Sequence, residues 1–136
     1  MTSPSAITLA GFIAWTLALL VLMELLRGFL VVFKGMPANQ FTADNANLSP
    51  FMQRLARAHA NCVEGLPVFG GLLLLALVTG QTAITDPLAY GFFAARLIQS
   101  CIHLASQSVV AVFCRFAAFA VQLAIGVYWA VRLLGV

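Results

Sequence analysis

Four apolar stretches, each long enough to cross a lipid bilayer, leave this chain few folds to choose from. They run from about Ile7 to Phe33, Phe51 to Thr79, Pro87 to Ala105 and Val109 to Leu134. A spanning helix needs about 20 residues, at 1.5 Å each across a core about 30 Å thick. In lipid every backbone N–H and C=O must be satisfied within the element itself or in a closed barrel. The sequence therefore predicts an all-α protein, an integral membrane four-helix bundle forming a single domain over residues 1–136. Short links favour antiparallel neighbours. The first stretch is not read as a cleavable signal peptide: it lacks a basic n-region and a clear small-residue cleavage site, and it is too long.

The rest of the chain agrees with a lipid solvent. It is 62% hydrophobic and 8% charged, where a soluble domain is about half apolar and about a quarter charged. A net charge of +3 forms no tail or stripe that would bind nucleic acid. Cys62, Cys101 and Cys114 fall in apolar segments without a CxxC pair, which suits small packing residues and neither a disulfide framework nor a metal site. Ser49-Pro50 reads as an N-cap followed by proline at the first helical position, and Asp86-Pro87 repeats that signal for the third helix. Thr79-Gly80 reads as a helix stop. The one substantial hydrophilic loop is Lys34 to Pro50. Arg27, Lys34, Arg54 and Arg57 cluster around it, so the positive-inside rule places the loop in the cytoplasm and both termini on the opposite side.

Against this greasy background the stretch "RLARAHANCVEGLPVF", Arg54 to Phe69, stands out. Arg57, Asn61 and Glu64 are spaced i, i+4, i+7 and share one helical face. The third helix repeats the pattern with Arg96, Gln99 and His103, beside Ser100 and Gln107. The fourth carries Arg115 and Gln122, and the first Glu24 and Arg27. A charge near the bilayer centre costs at least about 2.5–3.5 kcal/mol, so such residues face a bundle interior or a wet cavity and mark a site. Plainer readings exist. Arg57 could snorkel to the interface, Glu64 and Arg96 could form a structural ion pair, and Glu24 with Arg27 is read as structural. His59 is read as a packed or interfacial histidine. Phe92, Phe93, Phe113, Phe116, Phe119, Tyr128 and Trp129 are read as lipid-facing and interfacial aromatics.

The Arg57-Ala58, Asn61, Glu64 and Pro67 spacing resembles the second-helix signature of the MAPEG family, membrane-associated proteins in eicosanoid and glutathione metabolism. The resemblance extends to four helices, a long first loop, Arg96 on the third helix and an arginine opening the fourth in "CRFAAFAVQ", as in the glutathione-transferase and prostaglandin-synthase branches. It implies a homotrimer that binds glutathione as co-substrate between subunits. Arg57, Asn61 and Glu64 would hold the peptide, with Glu64 on the γ-glutamyl ammonium. Arg96, Gln99 and His103 would line the third-helix wall, and Lys34 stands where some members have a basic residue. Arg115 would be the catalytic residue that stabilises the thiolate. The chain departs from several eicosanoid-making members at Gly65, His103 and Phe119, where tyrosines can stand, so no specific eicosanoid activity is implied.

Two functions remain open at this point. One is a membrane-bound glutathione transferase or peroxidase acting on hydrophobic electrophiles or lipid hydroperoxides. The other is a non-enzymatic lipid-binding or scaffolding protein of the same fold. A small transporter subunit is a weaker third reading, since no broken-helix signal is evident.

Overall fold

The computed structural model describes residues 2–135, and these are all-helical. Four helices are long and apolar enough to cross a membrane: α1 (Pro4–Lys34), α2 (Pro50–Val78), α3 (Thr82–Ala105) and α4 (Val109–Leu133). Each boundary has a local cause. Ser49 Oγ accepts the N–H of Met52 with Pro50 at the first helical position. Ser3-Pro4 uses the same device, Ser3 Oγ accepting from Ala6, and so α1 begins three residues before the apolar stretch does. Ser108 caps α4 through Ala111. At the end of α2, Gly80 takes φ of +68°, Gln81 N–H reaches Ala76 O and Gly80 N–H reaches Leu77 O. That pair of bonds is the glycine stop expected from Thr79-Gly80.

One boundary differs from the sequence reading. The third helix starts at Thr82, and Asp86-Pro87 lies inside it. Proline this near a helix start costs one backbone bond, to Ala83 O, in place of a break. Asp86 does not cap its own helix. Its Oδ1 takes the N–H of Ser5 at 3.0 Å and the Ser5 hydroxyl at 2.6 Å, pinning the start of α1 to the start of α3.

α2 is continuous but contains a π turn over Leu66–Gly70. Pro67 cannot donate to Val63 O, and its ring crowds that carbonyl. The wider turn absorbs the clash. One inserted residue rotates the following face by about 100° at 3.6 residues per turn. Phe69 thereby turns inward onto Phe92, with ring centroids 5.0 Å apart.

α3 is the central helix, packing against the other three. Its buried stripe is Thr85, Ala89, Phe92, Arg96, Gln99, Ser100 and His103, apolar toward its start and polar toward its end. The apolar half builds an aromatic core of Phe12, Phe69, Phe92 and Trp129. Phe92 and Trp129, expected at the lipid surface, are fully buried. In lipid there is no solvent force to sort aromatics outward, and close packing of large rings is what holds helices together. Phe113, Phe116 and Tyr128 do lie on the outside. Gly126 of α4 allows close approach at this core, since a Cβ there would sit 2.7 Å from the Phe69 ring.

The Lys34–Pro50 loop is ordered by Arg27. Its guanidinium bonds to Asn45 Oδ1, to Thr42 O and, as an ion pair at 3.1 Å, to Glu24. Glu24 and Arg27 are thus structural. Asn45 is fully buried, adopts φ of 54° and donates to Met52 O.

Candidate functional site

The polar half of α3 faces α2 and α4, and every interhelical polar bond there involves a residue singled out by spacing or a direct neighbour of one. Arg96 is fully buried and donates from NH1 to Asn61 Oδ1 on α2. Its guanidinium lies 5.1 Å from the Phe12 ring centroid and against Gly65, where a Cβ would come within 2.8 Å of NH2. One turn on, Ser100 Oγ meets Cys62 Sγ at 3.3 Å. Gln122 Nε2 on α4 donates to Gln99 Oε1 at 2.8 Å. Arg115 NH1 meets His103 Nδ1 at 3.1 Å. Arg54 Nε donates to Leu104 O at 2.8 Å, closing the end of α3 with a cation where the helix dipole is negative.

Three pockets lie along this face of the bundle. The first, about 400 Å³, lies between the loop and α2 and is lined by Asp44, Gln53, Arg57, Ala60 and Gln107. The second, about 230 Å³, is lined by Asn61, Gln99, His103, Arg115, Phe116 and Phe119. The third, about 160 Å³, is lined by Asn61, Glu64, Gly65, Val68, Phe69, Phe119 and Leu123. Asn61 and Phe119 belong to both the second and the third, and Arg57 precedes Asn61 by one helical turn. Charged groups line all three, Asp44 and Arg57 the first, Arg115 the second and Glu64 the third, and aromatic side chains join them in the last two.

Within this crevice the sequence-selected residues divide by environment. Arg57 and Glu64 are exposed on the outside of the bundle, and neither forms an ion pair among the described residues. The Glu64–Arg96 pair that the sequence allowed is not formed; Arg96 turns to Asn61 instead. Asn61 has its carbonyl occupied, which leaves its amide hydrogens for a ligand. Gln99 and His103 are buried but line the second cavity, and Arg115 is half-buried there. Lys34 stands exposed in the last turn of α1 and lines none of the three cavities.

Two mouth residues were not picked out from the sequence. Gln53 could have been, since it precedes Arg57 by one turn on the same face. Asp44 could not, because the loop's path depends on the tertiary anchor at Asn45. Hydrogen bonds from the Thr42 hydroxyl and the Ala46 N–H hold the Asp44 carboxyl below the usual carboxylate range, so it is anionic at neutral pH.

The crevice thus offers guanidinium groups, a carboxylate and neutral amides to a charged or polar ligand. Guanidinium groups bind carboxylates, and a carboxylate binds an ammonium. No curated protein and no solved structure matches the chain. The family model of the MAPEG family matches residues 5–135. With that match across nearly the whole sequence, and four apolar helices carrying the polar crevice, the chain belongs to the MAPEG family.

Proposed function

We propose that this protein is a membrane-bound glutathione-dependent transferase or peroxidase, acting on hydrophobic electrophiles or lipid hydroperoxides that reach the crevice from the bilayer. The observation that carries the reading is the crevice itself, where polar side chains and an apolar wall meet around Arg115. Arg57, the Asn61 amide and Glu64 would bind the peptide, Glu64 taking the γ-glutamyl ammonium. Arg96 would act through Asn61, whose orientation it sets. Phe116, Phe119 and Leu123 offer the apolar partner its surface.

The chemistry asks for a thiolate. A thiol with pKa near 8.5 is only about 3% ionised at pH 7. Lowering that pKa by about two units requires about 2.7 kcal/mol of preferential interaction with the anion. A guanidinium about 4 Å away supplies about 4 kcal/mol at an effective dielectric near 20. Arg115 is therefore sufficient alone. In transfer, the sulfur lone pair forms a bond to the electrophilic carbon while the leaving group departs with the bonding pair and the thiol proton goes to solvent.

The site is completed by symmetry in this reading. Glu64 lies 14 residues into α2, about 21 Å along its axis at 1.5 Å per residue. An exposed carboxylate at that depth is costly in lipid, and a homotrimer would cover it. Successive helices run antiparallel, the Lys34–Pro50 loop faces the cytoplasm, where reduced glutathione is abundant, and both termini lie opposite.

Calorimetric titration of the detergent-solubilised protein with glutathione, and the thiolate absorbance of the bound peptide against pH, test the proposal. Binding in the micromolar to millimolar range with a lowered thiol pKa is expected, and Arg115→Leu should abolish the lowering and turnover while leaving binding largely intact. Absence of glutathione binding would move the lipid-binding or scaffolding reading ahead. The apolar lining at Val68, Phe69, Phe119 and Leu123 favours that second reading.

A further inference from the structure

We infer that His103 is a positioning residue for Arg115, a neutral imidazole whose Nδ1 lone pair fixes the guanidinium in the crevice. The inference rests on the glutathione reading above and assigns a separate residue a separate task. It starts from a constraint on protons. Arginine has donors only and stays charged in proteins. An Arg115 NH1 to His103 Nδ1 distance of 3.1 Å is therefore a bond in which Nδ1 accepts. The imidazole must then be neutral, with its hydrogen on Nε2.

Two other roles for His103 are excluded by the same geometry. It is not the base that removes the thiol proton, because its one lone pair is already engaged and its other nitrogen is a donor. Nor can it carry a positive charge, because an imidazolium has no acceptor and would place two cations at hydrogen-bond distance.

What the bond does follows from the entropy of the arginine side chain. Arg115 stands in the second turn of α4 and is half-buried, on a long flexible stem with no carboxylate partner among the described residues. Left alone it could swing toward the bilayer surface. His103 is buried, with 6% of its surface exposed, and its own helix is held to α4 by the Gln99–Gln122 bond one turn away. It offers a rigid anchor to one guanidinium nitrogen. The other donors of Arg115 remain for the sulfur. Electrostatic stabilisation works best when the donor is in place before charge develops, since no reorganisation is then needed at the moment of reaction.

Two measurements test this on the full chain. The first is the histidine nitrogen spectrum of the protein labelled with 15N-histidine, with His59→Gln used to assign the two histidines. A neutral His103 with Nε2 protonated is expected at pH 7; an imidazolium or the Nδ1-protonated form overturns the inference without reference to any ligand. The second is the titration of bound glutathione in His103→Phe and His103→Asn. Phenylalanine removes the acceptor, and asparagine places an oxygen near the Nδ1 position. The thiolate fraction at pH 7 and kcat should fall about tenfold or more in the phenylalanine variant, with glutathione Kd changed less than about threefold. The asparagine variant should recover most of the loss. If Kd rises tenfold in both variants while the bound thiol still titrates as in wild type, His103 is a peptide ligand and the positioning role is overturned alone. A wild-type protein that binds glutathione without lowering its thiol pKa overturns the Arg115 assignment first, and the positioning role with it.

Discussion

Gly65 shows how one residue sets the site. Its missing side chain makes room for the Arg96 guanidinium, which a Cβ would meet at 2.8 Å. Gly65→Ala should therefore displace Arg96 from Asn61 and cost about 1–3 kcal/mol, the usual range for overfilling a packed interior. A lowered thermal midpoint together with weaker glutathione binding is expected; an unchanged midpoint would show that Arg96 has slack. Glu64→Gln makes the complementary point at the other edge of the crevice. In the proposed trimer, where Glu64 would be covered, removing one partner of a desolvated charge pair costs about 3–5 kcal/mol, enough to take a micromolar-to-millimolar ligand out of calorimetric range. Unchanged affinity in folded Glu64→Gln protein would remove Glu64 from the ammonium site. Much of the constellation was legible in the sequence, because i, i+4, i+7 spacing fixes which side chains share a face. What spacing could not give was the partner across the gap. Charge alone suggested Glu64 for Arg96, and in the fold, packed against Gly65 and Phe12, Arg96 turns to Asn61 instead.

The helices themselves were legible for a physical reason: in lipid, length and apolarity suffice to specify an element. Their exact starts were not, since Asp86-Pro87 presents the same local signal as Ser49-Pro50. The difference is tertiary. Ser5 of α1 takes the Asp86 carboxylate, so that side chain is unavailable to cap α3. Asp86→Ala should lose both bonds and leave the Ser5 N–H unpaired while its hydroxyl keeps Thr85, lowering stability by about 1–3 kcal/mol. Thermal unfolding measures it, and a neutral outcome would mean that the α1–α3 contact is held by packing alone. The π turn at Leu66–Gly70 was equally hidden. Pro67 announces a disturbance, but whether it breaks, kinks or widens the helix depends on what Phe69 then meets. Here the extra residue delivers Phe69 to the aromatic core and leaves Glu64 and Asn61, about one and two turns before it, facing the crevice.

At the scale of the whole molecule the exposed polar face of α2 decides what the chain must do in a membrane. Arg57 and Glu64 lie outside the single bundle, and a charge left to lipid costs at least about 2.5–3.5 kcal/mol at the bilayer centre, a cost that weighs most on the deeper Glu64. Three copies meeting at these faces would remove that cost and enclose the crevice, so a homotrimer is expected by native mass spectrometry and cross-linking in mild detergent. A stable monomer that keeps its fold and binds glutathione would overturn the assembly. Sidedness has its own test, and the loop's structure chooses the probe. Asn45 is the wrong place for a reporter cysteine, because it is buried and ties Arg27 to Met52. Asn39 is exposed, lies in the short 3₁₀ turn Ala38–Gln40 and anchors nothing. Of the native cysteines, Cys62 is buried, while Cys101 and Cys114 are exposed on apolar helices, which a membrane would shield from a water-soluble reagent. An impermeant maleimide should therefore label Asn39→Cys only when the cytoplasmic face is opened, and should leave the parent chain unlabelled. Labelling from outside intact cells would invert the orientation. It would also put the Arg57 end of the crevice, the proposed entry for the peptide, on the side of the membrane away from the cytoplasmic glutathione pool.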